Sequence, residues 1–207
     1  MTKRLLVSVF FFSTLFLWRA STTDAHAQPL DTADLYSKPV YNNLKEALKN
    51  PNSVYRLNLR RSRLKSFPLE ILKFSNLQEL NLSGNRLTNL PNEIGELKNL
   101  QILIVSSNKL KYLPDSIGNL INLQKLAAGK NNLVAIPREI GKLKELKILD
   151  LWNNQITEFP DELNDLNKLQ LLDLRAIEIG DLIQLHIQEM LPKTKIHFSP
   201  SCHCISG

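Results

Sequence analysis

The segment Leu77–Pro91, LQELNLSGNRLTNLP, returns three more times at intervals of 23 residues. The copies are Leu100–Pro114 (LQILIVSSNKLKYLP), Leu123–Pro137 (LQKLAAGKNNLVAIP) and Leu146–Pro160 (LKILDLWNNQITEFP). A more divergent copy precedes them at Val54–Pro68 (VYRLNLRRSRLKSFP), and a decayed one follows at Leu169–Leu182. Self-similarity at this period commits a chain to a stack of equivalent units, a solenoid. One unit alone buries too little apolar surface to offset the entropy lost in ordering it. Neighbours must therefore share one interior, and both ends need caps.

Counted from Leu77, the apolar positions of a unit are 1, 4, 6, 11, 14, 18 and 21. Positions 4 and 6 alternate with polar neighbours, which predicts a short strand with one buried face. Position 9 is Asn85, Asn108, Asn131 or Asn154. The chain turns inward here and leaves backbone groups in a dry interior. An inward amide both donates and accepts, so stacked asparagines can satisfy those groups as a ladder. Position 15 is proline in five copies, Pro68 to Pro160, and an acid follows at Glu70, Glu93, Glu139 and Glu162. That pair suits the start of a short helix or 3₁₀ turn, and Gly95, Gly118 and Gly141 suit its tight end.

The unit LxxLxLxxNxLxxLPxxIGxL resembles the leucine-rich repeat, most closely the 23-residue type of exported bacterial, notably spirochaetal, proteins. The resemblance spans about Val54 to Leu182. It implies an α/β horseshoe of six repeats with a parallel sheet on the concave side and short helices or 3₁₀ turns on the convex side. A helical amino-terminal cap and a helix-plus-strand carboxyl-terminal cap complete it. The motif is specific for fold and says little about activity.

Residues 1–27 read differently. Lys3 and Arg4 precede an apolar run, Leu5–Trp18, and Ala25-His26-Ala27 gives a small-x-small cleavage pattern. This predicts a secretory signal peptide cut after Ala27, with Ala20 as the alternative, and hence an exported chain: secreted, periplasmic or at the cell surface. The run is short for a membrane span, so no transmembrane segment is expected in the mature chain. Cleavage removes Lys3, Arg4, Arg19 and Asp24 and lowers the net charge from +6 to +4. That balance does not argue for nucleic acid.

The domain reading is a signal peptide over 1–27, an amino-terminal cap over 28–52, repeats over 53–176, and a carboxyl-terminal cap and tail over 177–207. Gln28–Lys38 reads as polar and loose. NNLKEALK (Asn42–Lys49) predicts a short helix stopped by Asn50-Pro51. Ile177 stands where a ladder asparagine is expected. Asp181–Leu191 predicts a longer, largely apolar helix, and Lys195–Phe198 a final strand.

Positions 3, 5, 7 and 8 of each repeat face outward on the strand side. Six strands about 4.8 Å apart give a face on the order of 25 Å wide. Ile102, Ile104, Ile148, Leu171 and Trp152 form an apolar group on this nominally wet surface, with Asp150, Asp173, Lys125 and Arg175 around it. Exposed apolar groups of this kind mark contact sites, and tryptophan is a frequent hot spot. The expected function is non-enzymatic binding of a protein, and the family resemblance implies a host or envelope protein. Arg56, Arg60, Arg61 and Arg63 form a basic edge suited to an acidic glycan. Self-association through the apolar group is a further reading.

No nucleophile elbow, phosphate loop or HExxH occurs, and no cofactor is expected. Cys202 and Cys204, with His203 between them and His197 nearby, are zinc or copper ligand types. Their spacing lacks any finger pattern, so no metal site is assigned. A Cys202–Cys204 disulfide would be badly strained, so pairing there would be intermolecular; the plainer reading is a reactive tail without a role.

Overall fold

The computed structural model describes residues 29–199. The predicted signal peptide, Cys202, His203 and Cys204 lie outside them. Eight parallel strands form one open sheet in chain order. They are β1 (Val40–Tyr41), β2 (Arg56–Asn58), β3 (Glu79–Asn81), β4 (Ile102–Ile104), β5 (Lys125–Ala127), β6 (Ile148–Asp150), β7 (Leu171–Leu174) and β8 (Lys195–Phe198). Like positions pair: Glu79 lies beside Ile102, Ile102 beside Lys125, Lys125 beside Ile148, and Ile148 beside Leu171. Leu80, Leu82, Leu103, Val105, Leu126, Leu149, Leu151 and Leu172 point to the other side and are fully buried.

Opposite the sheet run 3₁₀ turns at Leu69–Lys73, Asn92–Glu96, Asp115–Asn119, Arg138–Lys142 and Asp161–Asp165. The repeat prolines sit at the N-cap of each turn, one position before the expected first turn. The turn glycines serve close approach rather than turn conformation. A Cβ on Gly118 would stand 2.5 Å from the Glu139 carbonyl oxygen of the next turn, with 2.7 Å at Gly95 and 2.6 Å at Gly141.

The asparagine ladder forms as its chemistry dictates. Asn131 Oδ1 accepts the Leu110 N–H at 3.1 Å, and its amide donates to Val105 O at 3.1 Å and Ala128 O at 2.8 Å. Asn85, Asn108 and Asn154 repeat the pattern. The chain leaves each strand through a left-handed residue at position 8: Arg61, Gly84, Ser107, Lys130, Asn153 and Ala176 all have positive φ.

The amino-terminal end differs from expectation. Gln28–Lys38 is not loose throughout, because α1 (Thr32–Ser37) forms, capped by the Asp31 carboxylate, and Leu35 is fully buried. Leu30 is held at both backbone groups. Its N–H donates to Gln78 Oε1 at 2.9 Å, and its carbonyl accepts from Gln101 Nε2 at 2.7 Å. Both glutamines are buried and joined to each other, and Gln124 and Lys147 extend the row. α2 (Leu44–Ala47) follows β1, with Asn43 as its cap. At the other end α3 (Asp181–Met190) buries Ile187, with Leu191 buried just after it, but leaves Leu182 84% and Leu185 54% exposed.

Candidate functional site

The open face of the sheet brings most of the predicted residues together. One row runs Ile102, Lys125, Ile148, Leu171 and Lys195; the parallel row runs Ile104, Ala127, Asp150, Asp173 and His197. The apolar members are half-buried rather than fully wet, because side chains on adjacent strands shield one another. They form a shallow floor.

Trp152 stands two residues beyond Asp150 on the same face. Its neighbour across the strands is Gly129, shown by the Lys130 N–H donating to Trp152 O at 2.7 Å. A Cβ at Gly129 would overlap Cδ1 and Nε1 of the indole, so that edge of the ring comes up against bare backbone. The same imagined Cβ would be 3.0 Å from Asp150 Oδ1, which puts carboxylate and indole side by side. Gly129 is a part of the site that sequence reading missed. Its signal was a glycine in a position held elsewhere by Arg60, Ser83, Ser106, Trp152 and Arg175.

The two carboxylates differ. Asp173 is buried, and Arg175 saturates it: Nε donates at 2.9 Å to Oδ1, Nη2 at 2.5 Å to Oδ2, and the Arg175 backbone N–H at 3.1 Å to Oδ1. Burial alone would raise its pKa, but the Arg175 hydrogen bonds and charge overcome it and hold the carboxyl below its ordinary value. Asp173 and Arg175 therefore satisfy each other. Asp150 accepts only the Trp152 backbone N–H, at 3.2 Å, among the described residues. No cationic group lies within 4.0 Å of it there. Its pKa is raised, chiefly by burial, and Asp173 on the next strand adds to the effect; the Trp152 N–H, Lys125 and Arg175 oppose it.

These shifts have opposite consequences. A raised folded-state pKa means that charged Asp150 costs stability, a cost that fades as pH falls through that pKa toward 3.8. A lowered one means that Asp173 contributes stability above 3.8, lost as pH falls further. With allowance for screening by water, Asp150→Asn is expected to raise Tm at pH 7 by about 1 °C and Asp173→Asn to lower it by about 2–4 °C. Scanning calorimetry at pH 7 checks both signs.

The basic edge is smaller than expected. Arg56 Nε donates to Glu79 Oε2 at 2.6 Å, its guanidinium stacks 4.8 Å from the Tyr36 ring centre, and it donates to the Tyr36 and Lys38 carbonyls. Its side chain is largely buried between α1 and β3, so it is a fastening and not an open cation. Arg60, Arg61 and Arg63 remain exposed in the turn after β2.

A family model described as a leucine-rich repeat region matches residues 47–132, and a second, described as leucine rich repeat, matches 121–176. The chain belongs to the leucine-rich repeat family. No curated protein matches it. Among solved structures, this leucine-rich repeat chain is similar to a leucine-rich repeat protein of Leptospira interrogans, 38% identical with a TM-score of 0.59 over 71% of this chain. It spans 43% of that protein's length. The leucine-rich repeat ectodomain of a plant membrane receptor kinase from Arabidopsis thaliana, solved with Casparian strip integrity factor 2, is 31% identical with a TM-score of 0.58. It covers 69% of this chain, which spans 18% of it. A plant peptide hormone receptor solved with the peptide RGF2 is 36% identical with a TM-score of 0.52, over 59% of this chain and 20% of its own. Among the described residues no helix is long and apolar enough to cross a membrane. No group of three or more potential metal ligands occurs among them either. Leucine-rich repeat domains serve as protein-interaction modules, and that is the level at which family and fold speak here.

Proposed function

We propose that this leucine-rich repeat protein binds a protein partner across the open face of its sheet, without catalysis, and that it does so outside the cytoplasm. The observation that carries the reading is the indole of Trp152 set against Gly129, beside a half-buried apolar floor of Ile102, Ile104, Ile148 and Leu171. A large ring there fills no core. Receptor ectodomains of the same fold, solved with their ligands, support a binding role; a host or envelope partner rests on the resemblance to exported bacterial repeat proteins. Export rests on the reading of residues 1–27. The exposed Arg60, Arg61 and Arg63 are a weaker footing for an acidic glycan, because Arg56 is withdrawn from them.

The test is capture of partners on the mature chain beside a Trp152→Ala chain. The substitution is expected to leave circular dichroism unchanged and to weaken the captured complex by about 2 kcal/mol, roughly 30-fold. Equal capture by both chains would remove Trp152 from the site.

A further inference from the structure

We propose that Asp150 and Trp152 together seat one basic side chain of the partner, an arginine above all, carried on a segment whose apolar neighbours rest on Ile104 and Ile148. The proposal rests on the open-face reading above and names the chemistry that face selects.

It comes from comparing strands. At position 5 the polar acceptors Asn58, Asn81, Asp150 and Asp173 each take the backbone N–H two residues on. In β3 and β7 the side chain of that same residue supplies further donors. Ser83 Oγ donates to Asn81 Oδ1 at 2.7 Å, and the Arg175 guanidinium closes on Asp173. In β6 that position holds Trp152, which leaves its carboxylate without a side-chain donor. Among the described residues, Asp150 is thus the charged acceptor on this face that no cationic side chain pairs directly. The charged groups around it are Lys125 on β5, beyond ion-pair distance, and Asp173 with Arg175, already paired, on β7.

The replacement is chemically specific. A carboxylate beside an indole matches a guanidinium twice over: the planar fork takes both carboxylate oxygens, and the plane stacks on the ring. The Asp173–Arg175 pair one strand away shows that this face accommodates that geometry. A half-buried, unpaired carboxylate is costly to keep, and a bound cation offsets the cost. Burial already favours the protonated acid at Asp150, in keeping with a group that lacks its partner charge.

The experiment is a selection of linear twelve-residue peptides from a random displayed library on the full mature chain. Selected binders are then remade with arginine replaced by citrulline, which keeps shape and removes charge. Asp150→Asn keeps an acceptor for the Trp152 N–H, and its folding is checked by its melting curve. The expected result is enrichment of arginine or lysine next to apolar residues. Affinity should fall at least tenfold in Asp150→Asn, and also at least tenfold on the change to citrulline in the unmodified chain. The citrulline peptide should bind both chains alike. Trp152-dependent binders that lack a basic residue, or that ignore Asp150→Asn, would overturn the cation seat and leave the binding face standing. A selection with no Trp152-dependent binder would overturn both.

Discussion

Asn131→Ala should destabilise the fold by about 2–4 kcal/mol, seen as a lower urea midpoint with an unchanged slope. The amide serves three buried backbone groups at once: Leu110 N–H, Val105 O and Ala128 O. Alanine orphans the Leu110 N–H, strips one of two donors from each carbonyl (Val105 O keeps Asn108, Ala128 O keeps Asn154), and admits little water, since Asn131 is itself 7% exposed. The orphaned N–H costs on the order of 1–3 kcal/mol, and each hydrogen bond lost from a carbonyl about 0.5–1 kcal/mol. Set against a typical total of about 5–15 kcal/mol, the loss is a large share of the stability of the domain. Asn132→Ala is the control. It removes the same atoms from an exposed neighbour and should change stability by less than about 0.5 kcal/mol. Equal effects at the two positions would show that the ladder contributes nothing.

Gly118→Ala is the second large effect, expected to cost about 3 kcal/mol and to lower Tm by about 10 °C. The added Cβ would meet the Glu139 carbonyl oxygen at 2.5 Å and Glu139 Cβ at 2.9 Å. Neither obstacle is the end of a flexible side chain, so no rotamer change relieves the clash. The turns Asp115–Asn119 and Arg138–Lys142 must separate, and the shared interior opens between them. Gly180→Ala, where an added Cβ meets nothing within 4 Å, should be close to neutral. A similar melting point for the two variants would show that the stacked turns tolerate a wider spacing.

Most of the fold is legible in local sequence pattern. The alternation at positions 4 and 6 marks each strand, and Asn at position 9 marks the ladder. The run Asp181–Leu191 forms α3, one residue shorter, and Lys195–Phe198 forms β8 as expected. What escapes a sequence reading depends on distant partners. Pro29–Ser37 has one buried leucine and no amphipathic period; its order comes from Gln78 and Gln101, 48 and 71 residues from Leu30. The left-handed exit at position 8 escapes because Arg, Gly, Ser, Lys, Asn and Ala all occupy it. At the candidate site the apolar rows follow from strand alternation. The division between a satisfied Asp173 and an open Asp150 turns on what stands two residues later, and only side-chain geometry shows it. The Arg56–Glu79 pair is readable in principle, as opposite charges at one position of adjacent repeats.

The glutamine row beneath Leu30 sets how the stack comes apart. The beginning of the described chain is fastened to its second and third repeats, so the first repeat is clasped from both sides and cannot fray by itself. Peeling from that end must release several repeats in one step. Among the described residues the opposite end shows no such clasp, and α3 holds on through few buried side chains. Unravelling therefore has a preferred direction, beginning at the carboxyl terminus and travelling toward the repeats that carry Asp150 and Trp152.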